Sequence, residues 1–348
     1  MIVLRIIGAL AAVVLFGGAV VGHQRRQVSR LTLIVTALIS VGVVLLAIAP
    51  NLFNPVFDIL NFRPGSGRRL TAVLLIAVII MAGLLLRMQG AVDSSERSIR
   101  LLVESLGQST FDWEQAHALP PGPRIVVLSP AFNEAENVPA VIHAMPDEIE
   151  GYRVIPIVID DCSDDGTAGA ARTAGALTAR LPIRRGGGLA LRVGYDLALK
   201  LGADIVVSID ADGQHQPEEL PTLVKPIIEG TADHVNGSRM LGDFERGALI
   251  RHLGVHFFSW LVTILTGQRV TDISSGYRAT SAETLRKLLL EQDQFWTSEV
   301  TIEALRHHAR IVEVPVTFLT RRGGVSKKPK SLRYAWNFSK AIGKTWLR

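Results

Sequence analysis

Three apolar runs, residues 124–129, 153–160 and 204–210, each end in a cluster of carboxylates, amides and hydroxyls, and this repeat limits the fold more than any other feature. The stretch Ile205-Val206-Val207-Ser208-Ile209 has no apolar/polar alternation, which fits a strand covered on both faces. Helical segments are expected at 136–145, 166–178, 189–201 and 217–229, with a further strand at 234–239. Strand alternating with helix predicts an α/β, doubly wound domain with a mostly parallel sheet, opening after the chain break at Pro120-Pro121-Gly122-Pro123. Ligands of such sheets sit at the carboxyl ends of the strands.

The polar clusters fall at those ends. They run from Ser129 to Asn137, from Asp160 to Thr167 and from Asp210 to Pro217. One such cluster is ordinary cap and turn chemistry. Three at successive strand ends gather carboxylates that repel one another unless a cation or hydrogen-bond donors hold them. Side chains at i and i+2 of an extended chain leave on the same side, so Asp210 and Asp212 can face one divalent ion, with Gln214 as a further oxygen ligand. Oxygen donors without thiolates suit Mg2+ or Mn2+, which would act as a Lewis acid on a departing diphosphate. The lone Cys162 excludes an intramolecular disulfide and a cysteine zinc cluster, and reads as a small buried residue.

Charge is unevenly placed. The first 90 residues hold eight arginines, no lysine and one acid, Asp58, and residues 319–348 hold nine basic groups and no acid. The total is +5, so the middle of the chain is acidic by about −11. Basic ends around an acidic centre exclude a soluble nucleic-acid binder, and 48% hydrophobic residues exclude disorder.

Residues 3–22, 31–50 and 70–87 each approach the ~20 residues needed to span a bilayer, so 1–90 is expected to be a three-helix, all-α transmembrane anchor. Arg87, Arg97 and Arg100 join Arg25, Arg26 and Arg30 on one side, which predicts an integral membrane protein with its catalytic domain cytoplasmic. Residues 91–121 form a linker in which Ile99, Leu102, Val103 and Leu106 mark the apolar face of an amphipathic helix. Residues 331–348, with Tyr334, Trp336, Phe338 and Trp346 among Arg333, Lys340 and Lys344, have the composition of an interfacial tail on anionic lipid. The stretch Gly17-Gly18-Ala19 permits homo-oligomer packing.

The motifs SPAFNEAEN, DDCSDDGT, GLALRVG, DADGQHQPEEL, NGSRM, TDISSGYRA, SEVTIEALRHHARIVEVPVTF and RRGGVSK occur in this order between residues 124 and 330. The set resembles family 2 glycosyltransferases of the polyprenyl-phosphate sugar synthase type, the dolichyl-phosphate mannose synthase-like group. The resemblance implies a GT-A type, Rossmann-like catalytic domain at 122–330. It implies that Pro130, Phe132 and Glu134 hold the base and ribose of a nucleotide sugar with Ile159 and Asp161, and that Asp210, Ala211 and Asp212 lie against the diphosphate. It further implies that Arg239, Arg321 and Lys327 reach phosphates. One departure stands out: the family's Gly-Lys-Gly is here Gly186-Gly187-Gly188. Phosphate or sugar binding there would rest on helix-start N–H groups, with Arg184 or Arg185 as substitute cations.

These readings predict an inverting, metal-dependent transfer of a hexose from a GDP- or UDP-sugar to a polyprenyl phosphate. A phosphate acceptor is largely dianionic at neutral pH, its second pKa being near ~6, and needs no base. A hydroxyl acceptor on a glycolipid or cell-envelope glycan would need one, and Asp272 and Glu299 are the candidates. A catalytically silent membrane scaffold is the alternative from another class.

Overall fold

The computed structural model describes residues 2–24, 30–49, 68–242, 249–320 and 332–347. The chain divides into two compact units, Met1–Ser94 and Ser95–Arg348. In the first, helices α1 (Ile2–Gln24) and α2 (Arg30–Ile48) pack on each other. Helix α3 (Arg68–Ser109) begins in the first unit and ends in the second. Helices thus occupy all three expected places. Yet among the described residues no helix is long and apolar enough to cross a membrane, so the three-span anchor is not carried by the structure. Helix α2 has 19 residues with Thr36 and Ser40 inside, and α3 turns from apolar to charged beyond Arg87.

The second unit continues with α4 (Trp113–His117), β1 (Arg124–Ala131), α5 (Val138–His143), β2 (Glu148–Ile149), β3 (Tyr152–Asp160), α6 (Thr167–Thr173) and β4 (Leu177–Arg180). There follow α7 (Gly187–Lys200), β5 (Ile205–Ser208), a 3-10 turn (Pro217–Glu219), α8 (Leu220–Ile228), β6 (His234–Ser238) and α9 (Leu249–Thr266). The last elements are β7 (Arg278–Ser281), α10 (Ala282–Leu285), α11 (Trp296–Arg306), β8 (Ile311–Pro315) and α12 (Leu332–Leu347).

The strands form one sheet in the order β2-β3-β1-β5-β7-β6-β8, with β4 also on β3. β1 lies parallel to β3 and β5, and β7 runs antiparallel to both β5 and β6. The sheet is therefore mixed beyond β5, and also at its other edge, where β2 runs antiparallel to β3. Helical patterning through residue 178 is also corrected, because α6 stops at Thr173 and Leu177–Arg180 pair with β3.

Strand residues alternate between two cores. Val126, Leu128, Ile157 and Ile159 face Leu189, Val193 and Leu197 of α7, while Ile125, Val127, Ile205 and Val207 face Leu220, Leu223 and Val224 of α8. Each such side chain, fully buried, contributes about 1.5–3 kcal/mol. That double cover is why these runs show no polar alternation.

Two flanking helices differ from the expected pattern. On α3 the inward residue is Val103, whereas Ile99, Leu102 and Leu106 are exposed. Helix α12 buries Phe338, Ala341, Ile342 and Thr345, and Phe338 and Ile342 pack with Phe258 and Val262 of α9 and Ile302 of α11. Its last carbonyls, Thr345 and Trp346, accept from Arg306 Nη2 at 2.7 and 3.0 Å. The tail is a packed element whose other side exposes Trp336, Lys340, Lys344 and Leu347.

Candidate active site

Register brings the first two clusters together, since Ala131 pairs with Asp160 at the ends of β1 and β3. Hydrogen bonds strap the loops to each other. Asn133 N–H donates to Ser163 Oγ at 2.9 Å, Glu134 N–H to Thr167 Oγ1 at 2.9 Å, Ala135 N–H to Asp165 Oδ2 at 3.0 Å and Asp164 N–H to Asn133 Oδ1 at 3.1 Å. Burial pushes the Asp165 carboxyl up, but donors from Thr167 and Ala135 outweigh it and hold the group below its usual value. Asp160 takes Ser163 N–H at 2.9 Å and pairs with Arg180 at 3.3 Å. Much of this acidity thus serves the loops themselves rather than a metal. Asn133 and Cys162 occupy left-handed backbone at φ 53° and 64°, and Cys162 is half-buried rather than buried.

The nucleotide residues expected from the resemblance fall into two groups. Phe132, Glu134 and Asp161 stand at the strand ends, where buried Glu134 accepts from Asn137 Nδ2 at 2.8 Å. Pro130, the seventh residue of β1, is half-buried beside them. Ile159 and Ala211 instead turn their side chains into core clusters, Ile159 among Leu128 and Leu189, and Ala211 among Ala131 and Val158. These two side chains face away from any ligand at the strand ends.

Asp161 accepts N–H groups from Arg185 at 2.8 Å and Gly186 at 2.7 Å. Burial raises its pKa, opposed by those two donors and by the nearby charge of Arg184. The glycine run has a different use from the one expected. A Cβ on Gly188 would stand 2.2 Å from the Gln292 carbonyl oxygen, and Gly188 N–H donates to Asp293 O at 2.9 Å. The helix-start N–H groups of Arg185, Gly186 and Gly188 are therefore committed within the protein rather than offered to phosphate. Arg185 is committed as well, through Asp293 Oδ2 at 2.8 Å. Asp293 also pairs with Arg192 at 2.6 Å and Arg100 at 3.7 Å. Burial pushes its carboxyl up, yet these arginines hold it below its usual value.

β5 ends at Ser208, so Asp210 and Asp212 lie in the turn that follows it and not on extended strand as expected. The Asp210 carboxylate rests on Gly276, where a Cβ would meet its atoms at 2.7–2.9 Å. Asp212 Oδ1 accepts Gln214 N–H at 3.2 Å. Gln214 Nε2 donates to Leu319 O at 2.9 Å, and Leu319 N–H returns a bond to Gln214 O at 2.9 Å. Among the described residues no three His, Cys, Asp or Glu side chains form a metal cluster. Two half-buried carboxylates and an amide oxygen nevertheless fit an ion such as Mg2+, which keeps waters and shares substrate phosphate oxygens.

Arg239, at the end of β6, is gripped by Asp272: Nε donates to Oδ2 at 2.6 Å and Nη2 to Oδ1 at 2.8 Å. Ser274 Oγ accepts a further bond from Nη2 at 2.6 Å, and the guanidinium lies 5.0 Å from the Phe318 ring centre. Burial of Asp272 raises its pKa, but Arg239 prevails and the carboxyl stays below its usual range. Glu299, also buried, accepts Glu291 and Gln292 N–H at 2.8 and 2.9 Å. Both candidate bases are engaged in positioning neighbours. Arg321 and Lys327 lie outside the described residues.

One structural residue was missed. Arg278, fully buried, donates to the carbonyls of Ile273, Ser275 and Thr297 and to Thr301 Oγ1, tying the 273–275 turn to α11. Burial draws its pKa down to about 10. The Gly-Tyr-Arg of its motif was visible in the sequence, but its acceptors are mostly backbone groups, which leave no trace there.

Residues 126–292 match the family described as Glycosyl transferase family 2. The chain is 35% identical to an undecaprenyl-phosphate mannosyltransferase of Micrococcus luteus, over 59% of this chain and 87% of that one. It is 32% identical to a polyprenol monophosphomannose synthase of Mycolicibacterium smegmatis, over 60% and 82%. Among solved structures, glucosyl-3-phosphoglycerate synthase from Mycobacterium tuberculosis with Mn2+, UDP and glucosyl-3-phosphoglycerate superposes with a TM-score of 0.52 at 26% identity, covering 67% of this chain and 81% of that one. The same enzyme has been crystallised with Mg2+ and UDP. On this fold, these strand-end clusters and this degree of kinship, the chain belongs to glycosyl transferase family 2 and is a glycosyltransferase with a GT-A catalytic domain.

Proposed function

We propose that the enzyme transfers a hexose from a GDP- or UDP-sugar to a polyprenyl phosphate with inversion at the anomeric carbon. The observation that carries this reading is the state of Asp272 and Glu299. Both are buried and satisfied by neighbours, so neither is poised to take a proton from a hydroxyl acceptor. A phosphate acceptor, already anionic, needs no such base. The names of the Micrococcus and Mycolicibacterium relatives support the same acceptor.

In this reading Glu134 and Asp161 bind the nucleoside, and Phe132 forms the aromatic floor of that end of the site. Asp210 and Asp212, with the amide oxygen of Gln214, would hold Mg2+ or Mn2+, which supplies charge neutralisation to the leaving nucleoside diphosphate. Arg239, aimed by Asp272 and Ser274, presents a preset guanidinium to phosphate, and Arg321 and Lys327 add two further cations. The protein's part is alignment and electrostatics rather than proton transfer.

The membrane belongs to the proposal too. Val14 on α1 and Leu38 on α2 are about 70% exposed, as is Trp336 on α12, and Phe257, Trp260 and Ile264 line an outward face of α9. Apolar faces of this extent gain from cover, and a bilayer surface reached from the cytoplasmic side would deliver a polyprenyl acceptor. A hydroxyl acceptor is the second reading, favoured by the likeness to an enzyme crystallised with glucosyl-3-phosphoglycerate.

Membranes containing the protein, given labelled nucleotide sugar and polyprenyl phosphate with Mn2+, should yield a lipid product cleaved by mild acid. Label confined to alkali-stable or polymeric material would instead establish the hydroxyl acceptor.

A further inference from the structure

The cation that the sequence lacks at Gly187 has a replacement three residues earlier. The Arg184 guanidinium carbon stands 3.8 Å from the centre of the Phe132 ring, close enough for face-to-face contact. Its neighbour Arg185 points elsewhere, into the Asp293 cluster. The turn that carries Arg184 is held on both sides: Arg185 and Gly186 donate their N–H groups to Asp161, and Gly188 donates to Asp293 O. A rigid turn therefore places an exposed, planar cation on the aromatic ring at the end of β1, beside the Asp161 carboxylate.

We propose that Arg184 is a donor-binding residue that stacks on the nucleotide base, its guanidinium plane forming one layer between Phe132 and the base while Asp161 accepts from the base or ribose edge. The inference rests on the nucleotide-sugar reading above and adds a residue and a contact to it. Arg184 acts as a flat surface at the nucleoside end, while the phosphate end belongs to Asp210, Asp212 and Arg239. A guanidinium suits this position because it stacks on aromatic planes and is weakly hydrated, whereas an ammonium offers a compact, strongly hydrated charge.

The test is calorimetric binding of UDP, GDP, UMP and GMP to the full-length protein in detergent with Mn2+. Arg184→Ala should weaken the preferred nucleoside diphosphate about three- to thirtyfold, the range of a partly desolvated cation–π contact. The monophosphate of the same base should weaken by the same factor. Arg184→Lys should stay near the alanine value, because it keeps the charge and loses the plane. Unfolding temperature should hold in both variants, as the side chain is exposed. Wild-type affinity in Arg184→Ala overturns the contact. Recovery in Arg184→Lys, or a loss confined to diphosphates, overturns stacking in favour of a phosphate contact. If the unaltered protein binds none of the four nucleotides, the donor reading falls and this inference falls with it.

Discussion

Gly276→Ala isolates the placement of one carboxylate from everything else in the site. The added Cβ would stand 2.7 Å from Asp210 Oδ1 and 2.9 Å from its Cγ and Oδ2. Ordinary contact requires roughly 3.5 Å, so the carboxylate must retreat by roughly 0.5–1 Å. The glycine backbone cannot yield easily, because its carbonyl accepts from buried Ser208 Oγ at 2.9 Å. Asp210 is half-buried and follows β5, so its side chain is the part that moves. Misplacement on this scale costs about ten- to a hundredfold in a site whose chemistry is alignment. Titrating turnover with Mn2+ should show half-maximal activity at about tenfold or more higher metal, with maximal turnover reduced. Unfolding should change little, since the clash is relieved at the rim of the core. An unchanged Mn2+ requirement in a folded variant would refute the assignment of Asp210 to a metal site.

Three further perturbations address the residues around it. Asp272→Asn leaves Arg239 buried without its counter-charge and should cost about 3–5 kcal/mol, a drop of roughly 6–20 °C in unfolding temperature for a unit of this size. Because Arg239 holds the Asp272 carboxyl below its usual range, that stabilisation is complete above about pH 4 and lost as pH falls further. The gap between wild type and variant in denaturant melts should therefore narrow below about pH 4, and a constant gap would contradict an ionised pair. Glu299→Gln turns an amide donor toward the Glu291 and Gln292 N–H groups, costing about 1–3 kcal/mol. Its turnover with a polyprenyl phosphate should stay within about threefold of wild type, since a general base is worth at least ~10²; a hundredfold loss in folded protein would restore the base role. Gly188→Ala forces a methyl against the Gln292 backbone carbonyl, which has no rotamer to move aside, and should cost about 1–3 kcal/mol or more. Wild-type unfolding in that variant would show that the 291–293 turn gives way freely.

Local pattern determined a good deal. The uninterrupted apolar runs located β1, β3 and β5, since a strand covered on both faces leaves no polar alternation. The polar residues that follow them were legible as the candidate site because strand ends are where backbone groups and side chains open toward a ligand. Pairing between distant segments was not legible. Leu177–Arg180 is too short to announce itself and becomes β4 only by lying along β3, and β7 runs against β5 through pairs such as Ser208 with Arg278 and against β6 through pairs such as His234 with Thr280, all distant in sequence.

The roles of individual charges were decided in the same non-local way. Arg184 and Arg185 are identical residues side by side, yet one lies on Phe132 and the other is bound by Asp293, more than a hundred residues further on. Asp272 and Glu299 look like bases in one dimension, and in three their oxygens are taken by Arg239 and by the 291–292 backbone. The sequence by itself determined which stretches are apolar enough to become β1, β3 and β5 and which polar residues follow them, because burial on both faces is written along the chain as an unbroken apolar run. Only the tertiary structure decided which of those polar groups remain available for chemistry, because a hydrogen bond is claimed by whatever group the fold brings within about 3 Å.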